Sequence, residues 1–293
     1  MPHQNLLTPD QRSRLTTRSN RAGLIHLALY LALLGLCSAA IIAQIPYWPL
    51  FLLPQGTLLV FLFTLSHECT HQTPFRTPWL NDAVGHALSP ILLLPFLWFR
   101  YFHLAHHKHT NDPEKDPEIA DHPHPQTRAE WLTYLSGWGF WTNSVRTLWA
   151  NARGDLSAPY LPKRQHRIMR REARAILAVY ALAALSLLIT PAILWLWLLP
   201  MVIAQPLLRA YLLAEHGLCP QVANMLENTR TTFTNRILRF VAWNMPYHAE
   251  HHSFPAVPFH QLPALHAELA PHLKSTAPGY GAFTRAYLRS LEH

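Results

Sequence analysis

The sequence predicts an all-α integral membrane protein: four transmembrane helices in two hairpins, with a cytoplasmic helical cap. Three observations predict that fold class. Charged residues make up only 14% of the 293 residues, and apolar ones 50%, against about 25% charged in a soluble domain. Residues 22–67 and 175–208 contain no Lys, Arg, Asp or Glu, and each crossing needs about 20 apolar residues. Basic residues gather before both stretches and are missing from the turns that divide them. Ten Trp, 25 scattered Pro and ten Gly without period exclude disorder, collagen and coiled coil. Cys37, Cys69 and Cys219 form no C-x-x-C pair and are too few for a disulfide framework.

The elements follow in order. Arg12, Arg14, Arg18 and Arg21 precede a first span at 24–43. Residues 1–20 are polar and the run after them is long enough to span, so no cleavable signal peptide is expected. Ile45-Pro46-Tyr47-Trp48-Pro49 makes an aromatic-flanked turn at the far interface, and a second span follows at 49–66. Segment 84–99 is apolar but has only 16 residues and carries His86, Pro90 and Pro95, so it is expected to lie in or dip into the interface. The 31 residues between His71 and His103 cannot hold two crossings and a turn, about 40 residues, and one crossing would put the two on opposite faces.

Trp131, Tyr134, Leu135, Trp138, Val145, Leu148 and Trp149 recur at helical spacing, which predicts a surface helix over 129–150 with an aromatic interfacial face. Lys163, Arg164, Arg167, Arg170, Arg171 and Arg174 then precede a third span at 175–190. Thr190-Pro191 divides it from a fourth at 193–213, which only Arg209 interrupts. The positive-inside rule puts both termini, the middle segment and the C-terminal region 217–293 in the cytoplasm. No internal repeat divides the chain, so residues 1–293 are expected to form one membrane domain. A pI near 9.7 suits phosphate binding, but the basic clusters abut spans, so they are assigned to membrane anchoring and no nucleic-acid partner is expected.

Twenty histidines are the second anomaly. Nine fall in four places: His67-x-x-x-His71, His103-x-x-His106-His107, His216, and His248-x-x-His251-His252. On a helix, i, i+3 and i+4 share a face, so each box presents two or three imidazoles together. Each place also falls on the cytoplasmic side of a topology drawn from charge and length alone. One zinc or iron takes three or four protein ligands, so nine histidines suit two metals with four or five nitrogens each. Imidazole ligands commonly donate their second N–H to a carboxylate, and Glu68, Asp112, Asp116, Glu215 and Glu250 stand beside the boxes. His86 and His109 lie near them too. His3, His26, His122, His124, His166, His260, His266, His272 and His293 read as ordinary polar residues. His67-Glu68-x-x-His71 also satisfies the zinc-protease pattern, in which the glutamate activates water, but that leaves both H-x-x-H-H boxes idle. A non-enzymatic metal carrier would not need ligands fixed at span ends.

With the three boxes spread over four spans, the chain resembles the membrane-bound fatty acid desaturase and hydroxylase superfamily. The run from His106 to Pro117, HHKHTNDPEKDP, is similar to bacterial acyl-lipid desaturase-like members. The resemblance covers about residues 24 to 265. It implies a centre of two non-haem irons, held by the eight box histidines and His216, that uses O₂ to remove hydrogen from an unactivated acyl chain. It also implies a lipid or fatty acyl substrate and two electrons from a separate ferredoxin, rubredoxin or cytochrome b5 type donor, since no His-Pro-Gly-Gly marks a fused haem domain. Hydroxylation or ketolation of a lipid or carotenoid, and desaturation of a small non-lipid acyl chain, remain open within the superfamily.

Two departures stand out. The animal acyl-CoA enzymes have four residues between the first two histidines and this chain has three. Those enzymes also have an asparagine where this chain has Leu212, for which Asn244, four residues before His248, is a candidate substitute. A tunnel to the membrane is expected along Trp98, Phe99, Tyr101, Phe102 and Trp243. Arg outnumbers Lys by 20 to 4, which points to a GC-rich bacterial genome and hence to an inner membrane.

Overall fold

The computed structural model describes residues 5–121 and 123–291. His3, His122 and His293 therefore lie outside the described residues. Helices make up most of the chain. A short amphipathic helix, α1 (Pro9–Leu15), opens on a Thr8–Gln11 capping box. α2 (Asn20–Ile42) follows, capped by Ser19. A left-handed Tyr47 and a tight turn lead into α3 (Trp48–Thr70). Then come α4 (Pro78–Leu92) and α5 (Phe96–His109). α6 (Pro117–Asp121), α7 (Arg128–Leu135) and α8 (Trp138–Arg153) form the middle segment. α9 (His166–Ser186) and α10 (Leu194–His216) complete the long helices. The remainder comprises α11 (Met225–Asn228), α12 (Arg236–Val241), α13 (His248–Ser253), α14 (Leu262–Leu269) and α15 (Tyr280–Ser290). Two short strands, Thr231–Thr232 and Thr276–Ala277, pair in parallel and tie the C-terminal region together.

Among the described residues, α2, α3 and α10 are long and apolar enough to cross a membrane. Leu24, Ile25, Leu29, Leu33 and Leu36 of α2 face outward, as a lipid-facing helix requires. α3 and α10 pack closely because Gly56 lets the Pro200 backbone approach. A Cβ built on Gly56 would lie 1.9 Å from the Pro200 carbonyl oxygen. Two inward polar groups are bonded across helices: the Tyr30 hydroxyl donates to Leu58 O at 2.6 Å, and Gln55 Nε2 to Leu196 O at 2.8 Å. Such pairing is what a water-free interior demands.

Three sequence-based boundaries need correction. The segment expected at 84–99 is no single element: α4 and α5 meet at a 101° bend. Leu93 takes φ 54° there, and Pro95 lacks the N–H that would continue a helix. The free N–H groups of α5 are met from α9, whose Glu172 accepts from Phe96 N at 2.9 Å and Leu97 N at 3.1 Å. The surface helix expected at 129–150 is broken into α7 and α8 at Gly137, which takes φ 73° and whose absent Cβ makes room for Gln205. Trp138, Val145 and Trp149 of α8 are exposed apolar side chains. The span expected at 175–190 belongs to α9, which starts at His166 and ends at Ser186. The basic first half of α9 keeps it out of the group of three apolar helices.

Candidate metal centre

Four chain segments deliver the nine box histidines to one interior region. α3 brings His67 in its last turn and His71 just beyond it. α5 brings His103, His106 and His107 on one face, α10 ends on His216, and α13 carries His248, His251 and His252. They fall into two groups. One ligand atom from each of His67, His71, His103, His107 and His251 lies within 4.8 Å of all the others, and His106, His216 and His252 meet the same condition. His248 adjoins the second group, its Nε2 3.3 Å from His216 Nε2. The His107 and His252 rings stack 4.0 Å apart and bridge the groups.

Most of these rings are buried, yet among the described residues His67, His107 and His251 have neither ring nitrogen hydrogen-bonded, and His252 Nε2 has no partner. Each buried polar atom left unmet costs about 1–3 kcal/mol, so a run of them calls for a ligand that accepts lone pairs, and a cation does. Four of the rings are held in the right state for it. Burial, then the His106 imidazole and the Arg100 guanidinium, push His71 down to about 3. Burial and neighbouring imidazoles likewise hold His248, His251 and His252 well below the usual histidine range. Neutral imidazole is the ligating form.

The flanking groups sort by what they touch. Asp116 is fully buried, with both oxygens 2.9 Å from His106 Nδ1. Burial opposes its ionisation, but His106 and the N–H groups of Asn111 and Glu118 outweigh that and hold its carboxyl below the usual range. Glu215 Oε1 lies 3.4 Å from His248 Nδ1, and Glu68 Oε1 3.5 Å from His251 Nδ1. Glu68 Oε2 accepts from Thr73 Oγ1 and Phe259 N, a buried structural role that does not suit a water-activating base. Three of the expected groups bond elsewhere. Glu250 turns from the box histidines to Thr231 and His266. Asp112 caps the turn at Glu114 and Lys115. Asn244 Nδ2 donates to Phe259 O. Of the histidines near the boxes, His86 pairs with Glu172 at 2.7 Å, and His109 joins neither group.

Sequence reasoning missed three contacts. Glu118 Oε2 lies 3.2 Å from His106 Nδ1, Thr110 Oγ1 3.1 Å from His252 Nδ1, and Asn228 O 3.3 Å from His216 Nδ1. Glu118 stands two residues past Asp116, and Thr110 one turn past His106, so proximity in the chain could have found both. Nothing in the chain marks Asn228.

A cavity of about 590 Å³ opens onto both groups, lined by His67, His103, His106, His216 and His248, within the usual range for a small-molecule site. Phe63, Leu94, Trp98, Phe99, Phe102 and Leu212 give it an apolar wall. Of the expected tunnel residues, Tyr101 and Trp243 are not in the lining. Trp243 is fully buried against His26 and Phe259.

The family model described as "Fatty acid desaturase" matches residues 42–284. Similar proteins include an sn-1 oleoyl-lipid 12-desaturase of Arthrospira platensis, 25% identical over 73% of this chain and 67% of that protein. Another sn-1 oleoyl-lipid 12-desaturase, of Anabaena variabilis, is 29% identical over 54% of this chain and 49% of that protein. An sn-1 acyl-lipid omega-3 desaturase (ferredoxin) of Nostoc sp. (strain 36) is 39% identical over 24% of this chain and 20% of that protein. The last two matches thus span half or less of the relative's length.

Proposed function

The chain belongs to the fatty acid desaturase family, and from that premise we propose that it is a membrane-bound di-iron oxidoreductase that uses O₂ and two electrons to desaturate the acyl chain of a lipid. One observation carries this reading: nine imidazoles from four segments converge in two groups with unmet buried nitrogens, beside an apolar-walled cavity. The residues fit two metal ions. His67, His71, His103, His107 and His251 would hold one iron, and His106, His216, His248 and His252 the other. Bound iron would supply O₂ activation and the oxidising power that an unactivated carbon requires.

The chain's own groups do the rest. Asp116, Glu118 and Glu215, with Glu68 at longer range, orient the imidazoles they face. Phe63, Trp98, Phe99 and Phe102 exclude water and hold an alkyl chain against the histidines. The domain would be one unit over residues 1–293, with α2, α3, α9 and α10 as two hairpins and the histidines, both termini and residues 217–293 in the cytoplasm, in a bacterial inner membrane. The basic residues before α2 and within the first half of α9 support that sidedness. The electron donor would be a separate small redox protein, with a ferredoxin favoured by the printed name of the Nostoc relative.

The test is expression in a bacterial host, with mass spectrometry of extracted lipids and elemental analysis of the purified chain. Loss of two hydrogens from a lipid, with two metals per chain, is expected. Gain of one oxygen would replace desaturation with hydroxylation, and one zinc per chain would overturn the di-iron reading.

A further inference from the structure

An ionisable side chain within a membrane-crossing helix faces an interior and marks a function, and α10 has one in Arg209. Seven residues separate Arg209 from His216, two turns and about 10 Å at 1.5 Å per residue, so both project from one face of α10. Gln205 lies on that face one turn further back. Arg209 lines the same cavity as five box histidines. Its guanidinium sits 4.7 Å from the centre of the Phe140 ring and 5.8 Å from that of Tyr134.

The donors on this face are not used up within the protein. Arg209 Nε is enclosed and has no hydrogen-bond partner among the described residues, and neither amide atom of Gln205 has one. The two carboxylates whose charge reaches Arg209 are engaged with imidazoles, Glu118 with His106 and Glu215 with His248. A guanidinium stacked on an aromatic ring is held in place with its planar fork free at the edge, a geometry that matches a carboxyl group.

We infer that Arg209 binds a carboxyl oxygen of the acyl substrate inside the cavity, either a free carboxylate or an ester carbonyl. The carboxyl end then lies two helical turns from His216, and the site of oxidation is counted from that end at a fixed, short distance. The inference rests on the acyl-oxidation reading for the identity of the substrate, but its test needs no turnover.

Binding of laurate, methyl laurate and dodecane to the metal-loaded, detergent-purified full chain is followed by tryptophan fluorescence, for which Trp98 in the cavity wall is the reporter. In the natural chain laurate is expected to bind about tenfold more tightly than dodecane, one charge-assisted hydrogen bond's worth. Arg209→Leu is expected to erase the difference, and Arg209→Lys to keep part of it. Methyl laurate binding as well as laurate assigns an esterified substrate, and laurate alone a free acid. Equal binding of laurate and dodecane by the natural chain, or a preference that survives Arg209→Leu, overturns the inference. Metal content and monodispersity check the fold, and Arg209→Gln takes the place of the leucine variant if that one does not fold. A lipid profile without product would sink the desaturation reading and leave this binding result standing, so the two fail separately.

Discussion

His106, His216 and His252 are tied down from behind, each by a hydrogen bond at Nδ1: to Asp116, the Asn228 carbonyl and the Thr110 hydroxyl. In the five-histidine group the anchoring is sparse. Among the described residues His67, His107 and His251 have no hydrogen bond at either nitrogen, and the nearest carboxylate, Glu68, stands 3.5 Å from His251. The difference teaches that three of the four rings in the smaller group are preorganised by the protein, whereas the larger group relies on ligand number and close packing. Tautomer and orientation are set in advance where Nδ1 is bonded. Elsewhere a bound cation must satisfy the ring nitrogens.

The largest effect tests whether the groups act as one centre. His107 belongs to the five-histidine group, yet its ring stacks on His252 of the other. His107→Ala is expected to abolish lipid product and to lower metal content by at least one ion per chain. A variant that keeps full metal and turnover would separate the groups and break the comparison. Asp116→Asn comes next. It leaves the volume of the side chain but removes the charge that faces His106, and loss of such an orienting carboxylate typically costs about 10- to 100-fold in metal affinity. Metal titration of the purified variant should show one weakened site and one unchanged. Weakening of both equally would mean that preorganisation is shared.

How much of this was legible in the sequence depends on the range of the interaction. The boxes were legible because i, i+3 and i+4 positions share a helix face without help from the rest of the fold. Three long apolar helices, α2, α3 and α10, were legible because charge-free stretches of more than 30 residues have few other meanings. The anchors were not. Asn228 reaches His216 from the end of α11, and Glu172 caps α5 from α9, 76 residues from Phe96, pairings that only the packed chain creates. Arg209 was visible as an interruption in the fourth span, but its meaning required the cavity. The helix that carries the expected third span starts before the charge-free stretch, because absence of charge does not fix where a helix starts, and α9 runs back into its basic flank.

Glu68→Gln should have the smallest effect, and it sharpens the comparison from the sparse side. Glu68 is fully buried, and its Oε2 accepts from Thr73 Oγ1 at 3.0 Å and Phe259 N at 3.1 Å. Glutamine keeps one carbonyl oxygen for those two donors. What it loses is the carboxyl oxygen facing His251 Nδ1 across 3.5 Å, longer than a normal hydrogen bond. That contact is worth no more than one weak hydrogen bond, so a loss of about two- to tenfold in metal affinity at the five-histidine group is expected, with product still formed. The same substitution weighs against the zinc-protease pattern that His67-Glu68-x-x-His71 also satisfies. There the glutamate moves the proton of the attacking water, and its removal would abolish activity while leaving zinc in place. Product retained by Glu68→Gln therefore assigns Glu68 to orientation of His251. Complete loss with metal unchanged would make it a group in contact with the reacting atoms.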